Sequence, residues 1–119
     1  MRVSKINDRR FEVALQIMQE GSSDLVYNNV SFSLDKETHV LWVGSLTSGS
    51  QRPSERSARL AIQRGIDTYH HLVTNSLEFL KAVKCCPPRF SLIEDYGMGS
   101  VELCHLENDR IIWNSMESQ

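Results

Sequence analysis

Apolar residues recur in two different rhythms along this chain, and the changes of rhythm divide it into elements. Between Asp8 and Gly21, Phe11, Ala14, Leu15 and Met18 fall at the spacing of one helix face. Asp8 can cap the free amides of the first turn, and Gly21 with Ser22 and Ser23 stops the helix. From Leu25 to Leu34 the rhythm shortens to two. Val30, Phe32 and Leu34 alternate with Ser31 and Ser33, as in a strand with one dry face and one wet face. Asp35-Lys36-Glu37 is a polar turn, and His39–Leu46 returns as a second strand. Val40 and Trp42 on one face and Leu41 and Val43 on the other make this strand apolar on both sides, so it belongs inside a sheet.

Thr47–Pro53 is rich in turn-forming residues and reads as a loop. Pro53 suits the first turn of a helix, and helical spacing then runs to about Lys84. Two arrangements satisfy it. In the preferred one, Gly65 ends a first helix and Asp67 caps a second; in the other, one long helix carries Gly65 at a cost of about 1 kcal/mol relative to alanine. Tyr69, Leu72, Val73, Leu77, Leu80 and Val83 form the apolar stripe in either case. Pro87-Pro88 ends the helical region. Strands follow from Phe90 to Ile93, from Val101 to Leu106 and from Arg110 to Trp113. They are joined by turns at Tyr96–Gly99 and at Glu107-Asn108-Asp109, where Asn and Asp tolerate positive φ.

The expected order is α-β-β-α-β-β-β: an α+β domain spanning 1–119, with a mainly antiparallel five-stranded sheet and its helices on one face. Residues 1–7 and 114–119 are expected to fray. In element order this resembles the roadblock/longin-like small-GTPase adaptors, and in part the PAS/GAF-type sensor domains. The resemblance is one of topology, without a shared motif, and by itself implies no activity.

At 119 residues, with 40% apolar and 24% charged positions, the chain is long enough to bury a core without metal or disulfide staples. Its net charge of −2 gives no bulk attraction to nucleic acid or to a membrane. Residues 1–10 are polar and basic with no apolar run behind them, and no stretch is long enough to span a bilayer. Three cysteines, two of them neighbours, do not form a secreted disulfide framework. These features lead to the expectation of a cytoplasmic protein with reduced thiols.

Catalytic and metal chemistry finds no constellation in the sequence. Gly44 to Gly49 imitates a phosphate-binding Walker A loop, but Ser50 and Gln51 stand where that loop needs Lys and Ser or Thr, so nucleotide hydrolysis is excluded. Cys104 and His105 are strand neighbours that must point to opposite faces. Cys85 and Cys86 end a helix, where the dipole disfavours a thiolate. No pair has zinc-ligand spacing. The expectation is a non-enzyme without metal or cofactor.

Charge is distributed unevenly. Residues 52–64 hold Arg52, Arg56, Arg59 and Arg64 against Glu55, whereas residues 90–119 hold six carboxylates against Arg110. Projected on a helix, Ala58, Ala61, Ile62 and Gly65 face the sheet and Leu60 lies nearly opposite, among Arg56, Arg59 and Arg64. An aliphatic side chain ringed by arginines has the make-up of a protein contact. The leading expectation is therefore an adaptor or inhibitor that binds another protein through Arg52, Arg56, Arg59, Leu60 and Arg64, or through a sheet edge. The partner includes, as one version, a second copy pairing basic helix with acidic hairpin. The alternative is a phosphate-bearing ligand or nucleic acid held by Ser48, Gly49, Ser50, Arg52 and Arg56 within the Thr47–Arg64 segment.

Overall fold

The computed structural model describes residues 24–27, 30–35, 37–47, 52–95 and 100–114. The helix expected over Asp8–Gly21, the Ser48–Ser50 portion of the loop and the Tyr96–Gly99 turn lie outside the described residues.

Six strands make one sheet: β1 (Asp24–Tyr27), β2 (Val30–Asp35), β3 (Val40–Thr47), β4 (Pro88–Asp95), β5 (Ser100–Glu107) and β6 (Arg110–Trp113). They lie in chain order, each neighbour antiparallel to the next except β3 and β4, which run parallel. Parallel neighbours need a crossover, and α1 (Glu55–Asn75) and α2 (Leu77–Val83) provide it. The α+β class, the mainly antiparallel sheet and the placement of both helices on one face agree with the sequence. The strand expected over Leu25–Leu34 is two strands, since Leu25 pairs with Phe32 and Tyr27 with Val30. The sheet thus gains a sixth member at its edge. Asn28-Asn29, a dipeptide suited to a tight hairpin turn, is the sequence signal for that reversal.

Alternation on the inner strands sets the core. Val30 and Phe32 of β2 and Leu41 and Val43 of β3 pack against Leu72 of α1 and Phe79 and Val83 of α2. Phe32 and Phe79 meet edge to face at 5.8 Å. A second cluster joins Ala58 and Ile62 of α1 to Leu92 of β4 and Cys104 of β5. Ala58, Ile62 and Gly65 are buried and Leu60 is 59% exposed, as the projection requires.

The helical region corrects the preferred arrangement. α1 runs through Gly65 without interruption and ends ten residues later. Gly65 is a point of close approach: a Cβ there would sit 2.7 Å from Ser45 Oγ. That hydroxyl donates to the Ala61 carbonyl at 2.6 Å, so β3 and α1 are joined where the helix lacks a side chain. The break falls at Ser76, whose extended backbone donates to Leu72 O while its Oγ accepts from Phe79 N at 3.1 Å. One residue thus ends α1 and caps α2. The break also shifts the helical phase. Phe79 turns inward, while Leu77 and Leu80, which a continuous stripe would bury, are exposed.

Strand ends follow local chemistry. Pro88 opens β4, the strand position where a missing N–H is tolerated, and Leu41 N donates to Pro87 O just before it. Gly44 lies inside β3, paired with Ser31 and Ser91, so the Walker-like spacing does not begin in a loop. Asn108 and Asp109 take φ of 52° and 69°, the mirror-turn geometry expected of that pair. Asn114, assigned by the sequence to the fraying tail, donates from its backbone N–H to Leu103 O. Among the described residues, no helix is long and apolar enough to cross a membrane.

Candidate functional site

Residues four apart on α1 form two neighbouring rows with different fates. The first row, Glu55, Arg59, Gln63 and Asp67, satisfies itself. Arg59 Nε lies 3.5 Å from Glu55 Oε2, and Gln63 Nε2 donates to Asp67 Oδ1 at 2.9 Å. Arg59 also donates through Nη2 to the Asp109 carbonyl at 3.2 Å, tying α1 to the β5–β6 turn. In the second row, Arg56, Leu60 and Arg64 are all exposed. Neither guanidinium has an ion pair or hydrogen bond among the described residues. Arg56 and Arg64 stand one turn before and one turn after Leu60, about 12 Å apart along the helix axis.

Arg52 and the helix N-terminus are both engaged within the chain. The Arg52 guanidinium stacks over the Trp113 ring of β6, 3.9 Å from its centroid. Ser54 Oγ accepts from Ser57 N at 3.1 Å and so caps the end of α1 that an anion would need. Of the anion-site residues, Ser48, Gly49 and Ser50 lie outside the described residues; Arg52 faces an aromatic ring, and Arg56 belongs to the open row.

α1 lies over β3 and β4 and covers Cys104 of β5 towards the β6 end of the sheet, while α2 lies towards β2. Between α1 and this end of the sheet runs a groove of about 220 Å³. Ile62, Ile66, Leu106 and Ile111 make its apolar floor, and Arg59, Leu60, Gln63 and Asp109 its rim. Leu60 therefore stands at the edge of a partly dry channel. This is what the sequence did not reveal, because β6 reaches the helix only through tertiary packing.

The opposite face of the sheet holds a polar network that the sequence also did not reveal. Arg89 of β4 grips Glu102 of β5 with two bonds, Nε to Oε2 at 3.0 Å and Nη2 to Oε1 at 2.8 Å. Ser91 donates to the same carboxylate, and Asn114 donates to the Glu102 carbonyl. The Arg89 guanidinium lies 4.5 Å from the Trp42 ring centroid. His105 stands beside it, Nδ1 at 3.3 Å from Arg89 Nη2 and Nε2 at 3.2 Å from Glu107 Oε1. Because Arg89 can only donate, the neutral ring accepts at Nδ1 and donates from Nε2. Burial raises the Glu102 carboxyl, but the bonds from Arg89 and Ser91 and the Arg89 charge outweigh it, leaving the group below its ordinary value. An open hollow of about 430 Å³ beside this network runs from Asp35 and Thr38 to Pro87, Arg89 and His105.

These placements sort the candidate chemistry. Cys104 and His105 point to opposite faces, as the strand periodicity demands. Cys104 is buried under α1, and burial, followed by the Glu102 charge, pushes its thiol up to about 11. It is a core thiol at neutral pH. Part of the acidic C-terminal region, Glu102 and Glu107, is committed to Arg89 and His105. The basic helix and the acidic hairpin are neighbours within one molecule, joined by Arg59 and Asp109.

Among the described residues the chain thus presents an α+β architecture with an open row of arginines on the outer face of α1. Searches against models of known families, curated proteins and solved structures return no match to it.

Proposed function

We propose that this chain is a non-catalytic cytoplasmic interaction domain, an adaptor or inhibitor, that binds another protein through the outer face of α1. One observation carries the reading: Leu60 is 59% exposed between two arginines that have no partner among the described residues. A branched aliphatic side chain in water gains by burial, and guanidinium groups tolerate partial desolvation while keeping five directed donors. The free state of Cys85, Cys86 and Cys104 accords with a reducing compartment.

Site-directed photocrosslinking tests this. A benzophenone amino acid at position 60 of the full chain, expressed in its native host, is expected to trap a discrete protein adduct. Competition with unlabelled wild-type chain removes that adduct, whereas competition with Leu60→Asp does not. Crosslinks to nucleic acid would favour the phosphate-binding alternative, and a diffuse pattern insensitive to competition would overturn the proposal.

A further inference from the structure

We propose that His105 is an acid-operated switch: a proton taken up from solvent at Nδ1 transfers the Glu102 Oε1 contact from Arg89 to His105 and loosens the Arg89 guanidinium at the hollow beside Trp42. The site lies on the sheet face opposite α1 and does not depend on the protein-binding reading.

An irregularity in strand pairing assembles the switch. Residues three apart on a regular strand point to opposite faces, which would put the sheet between Glu102 and His105. The register shift removes that separation. Ser91 pairs with His105 and Leu92 with Cys104, but Ile93 pairs with Glu102, so Leu103 is the extra residue of β5. The bulge thereby turns Glu102 to the side of Arg89, Ser91 and His105, where the four side chains meet. Glu102 and His105 are each 14% exposed there.

The bonding pattern has two arrangements. In the neutral ring, Nδ1 accepts from Arg89 Nη2 at 3.3 Å and Nε2 donates to Glu107 Oε1 at 3.2 Å. A protonated ring donates from both nitrogens, so Nδ1–H and Nη2–H then confront each other, cation against cation. Glu102 Oε1 stands ready as the replacement acceptor. It is bonded to Arg89 Nη2 at 2.8 Å and lies 3.9 Å from His105 Nδ1. A movement of about 1 Å brings it within hydrogen-bond reach of the imidazolium. The other carboxylate oxygen, Oε2, keeps its bonds from Arg89 Nε and Ser91 Oγ, so one end of the pair stays fixed while the Nη2 end is released.

The surrounding charges suit such an exchange. Arg89 faces the ring from β4, and Glu102 and Glu107 from β5 itself. On β6, Ile112 pairs with His105 and is uncharged, while Arg110 pairs with Glu107 at the exposed end of the hairpin. Asp35, at the end of β2, lines the same hollow. Of these charged groups, the two β5 carboxylates are the acceptors within reach of the ring nitrogens. Imidazole is the side chain that changes charge between about pH 8 and 5.

Nitrogen-15 resonance spectroscopy of the labelled full chain, titrated from pH 8 to pH 4 at fixed ionic strength, tests the proposal. At pH 8 the His105 ring is expected as the tautomer protonated at Nε2. The two Arg89 Nη signals should be separate, because the double bond to Glu102 restrains rotation. As the ring takes up its proton, exchange between the Nη signals should quicken by roughly tenfold, since one of the two restraining bonds is lost. Its midpoint should coincide with that of the His105 signals. In His105→Gln, which cannot take up the proton, Nη exchange should stay constant down to pH 5, and far-UV circular dichroism checks that this variant is folded.

A ring protonated at Nδ1 at pH 8 would overturn the proposal, as would Nη signals that stay separate beside a protonated ring. So would exchange that quickens only below about pH 4.5, where Glu102 itself takes up a proton, or a response that persists in His105→Gln. The wild-type titration decides the matter by itself if the variant does not fold.

Discussion

Arg89 and Arg64 are the same residue type in opposite situations. Arg89 lies on a strand inside the sheet, gripped twice by Glu102, stacked on Trp42 and adjoining His105. Arg64 lies on the outer face of α1, exposed and without a side-chain partner among the described residues. A guanidinium whose donors are spent on a half-buried carboxylate of its own chain organises the fold. One that faces water keeps its donors for an encounter. The comparison teaches that the arginines conspicuous in the sequence as a cluster are not the ones most firmly integrated in the structure.

The most damaging way to test that difference is to remove Arg89. Arg89→Ala leaves Glu102, whose side chain is only 14% exposed, without its counter-charge. Breaking a fully buried pair costs roughly 3–5 kcal/mol, and the partial exposure of Arg89 lowers the expectation to about 2 kcal/mol in urea unfolding. An unchanged midpoint would put Arg89 in the same category as Arg64.

A smaller loss is expected where α1 meets β3. Gly65→Ala adds a Cβ 2.7 Å from Ser45 Oγ and displaces the hydroxyl from the Ala61 carbonyl. Helix propensity returns about 1 kcal/mol, so the net destabilisation is about 1 kcal/mol. Introduced on a Ser45→Ala background, the same substitution should become neutral or stabilising. A double-mutant cycle without coupling would refute the close-approach account of this glycine.

Acid sharpens the comparison further. The Glu102 carboxyl lies below its ordinary value of 4.5 in the folded chain, so its contribution is fully present above that pH. It is lost as pH falls through the lower folded value, because the unfolded state then takes up the proton first. The stability of the wild-type chain should therefore fall with acid more steeply below about pH 4.5 than that of Glu102→Gln. Parallel curves would show that the ion pair contributes nothing to the linkage.

The smallest effects belong to the open row. Arg56→Ala, Arg64→Ala and Leu60→Asp should each change folding stability by no more than about 0.5 kcal/mol, as for exposed positions without partners. A loss above about 1 kcal/mol in thermal or urea unfolding would mean that the row serves the fold and is not held for a partner.

Much of the architecture was legible because its signals are local. Period-two alternation placed β2 and β3, Pro87-Pro88 bounded the helical region, and Asn108-Asp109 marked the last turn. Helical projection also placed Leu60 outside and Ala58 and Ile62 inside. Gly65 misled because its helix cost is local and its benefit is not: the missing side chain accommodates Ser45, twenty residues earlier. Ser76 was the better break, and its short polar side chain after Asn75 was an available sign. The Arg89–Glu102 pair was not legible, since the register shift between Leu92 and Ile93 decides which β5 residue meets Arg89, and no neighbouring residue announces it.

By itself, the order of residues determined the element types from Val30 to Trp113, the wet and dry face of β2 and the outward setting of the Arg56–Leu60–Arg64 row. All of these follow from backbone periodicity and solvation within a few residues. Only the tertiary structure decided which charges neutralise one another, where α1 ends and that a groove opens beside Leu60. Those outcomes depend on atoms far apart in the chain meeting at hydrogen-bond or van der Waals distance, and one-dimensional spacing carries no such distance.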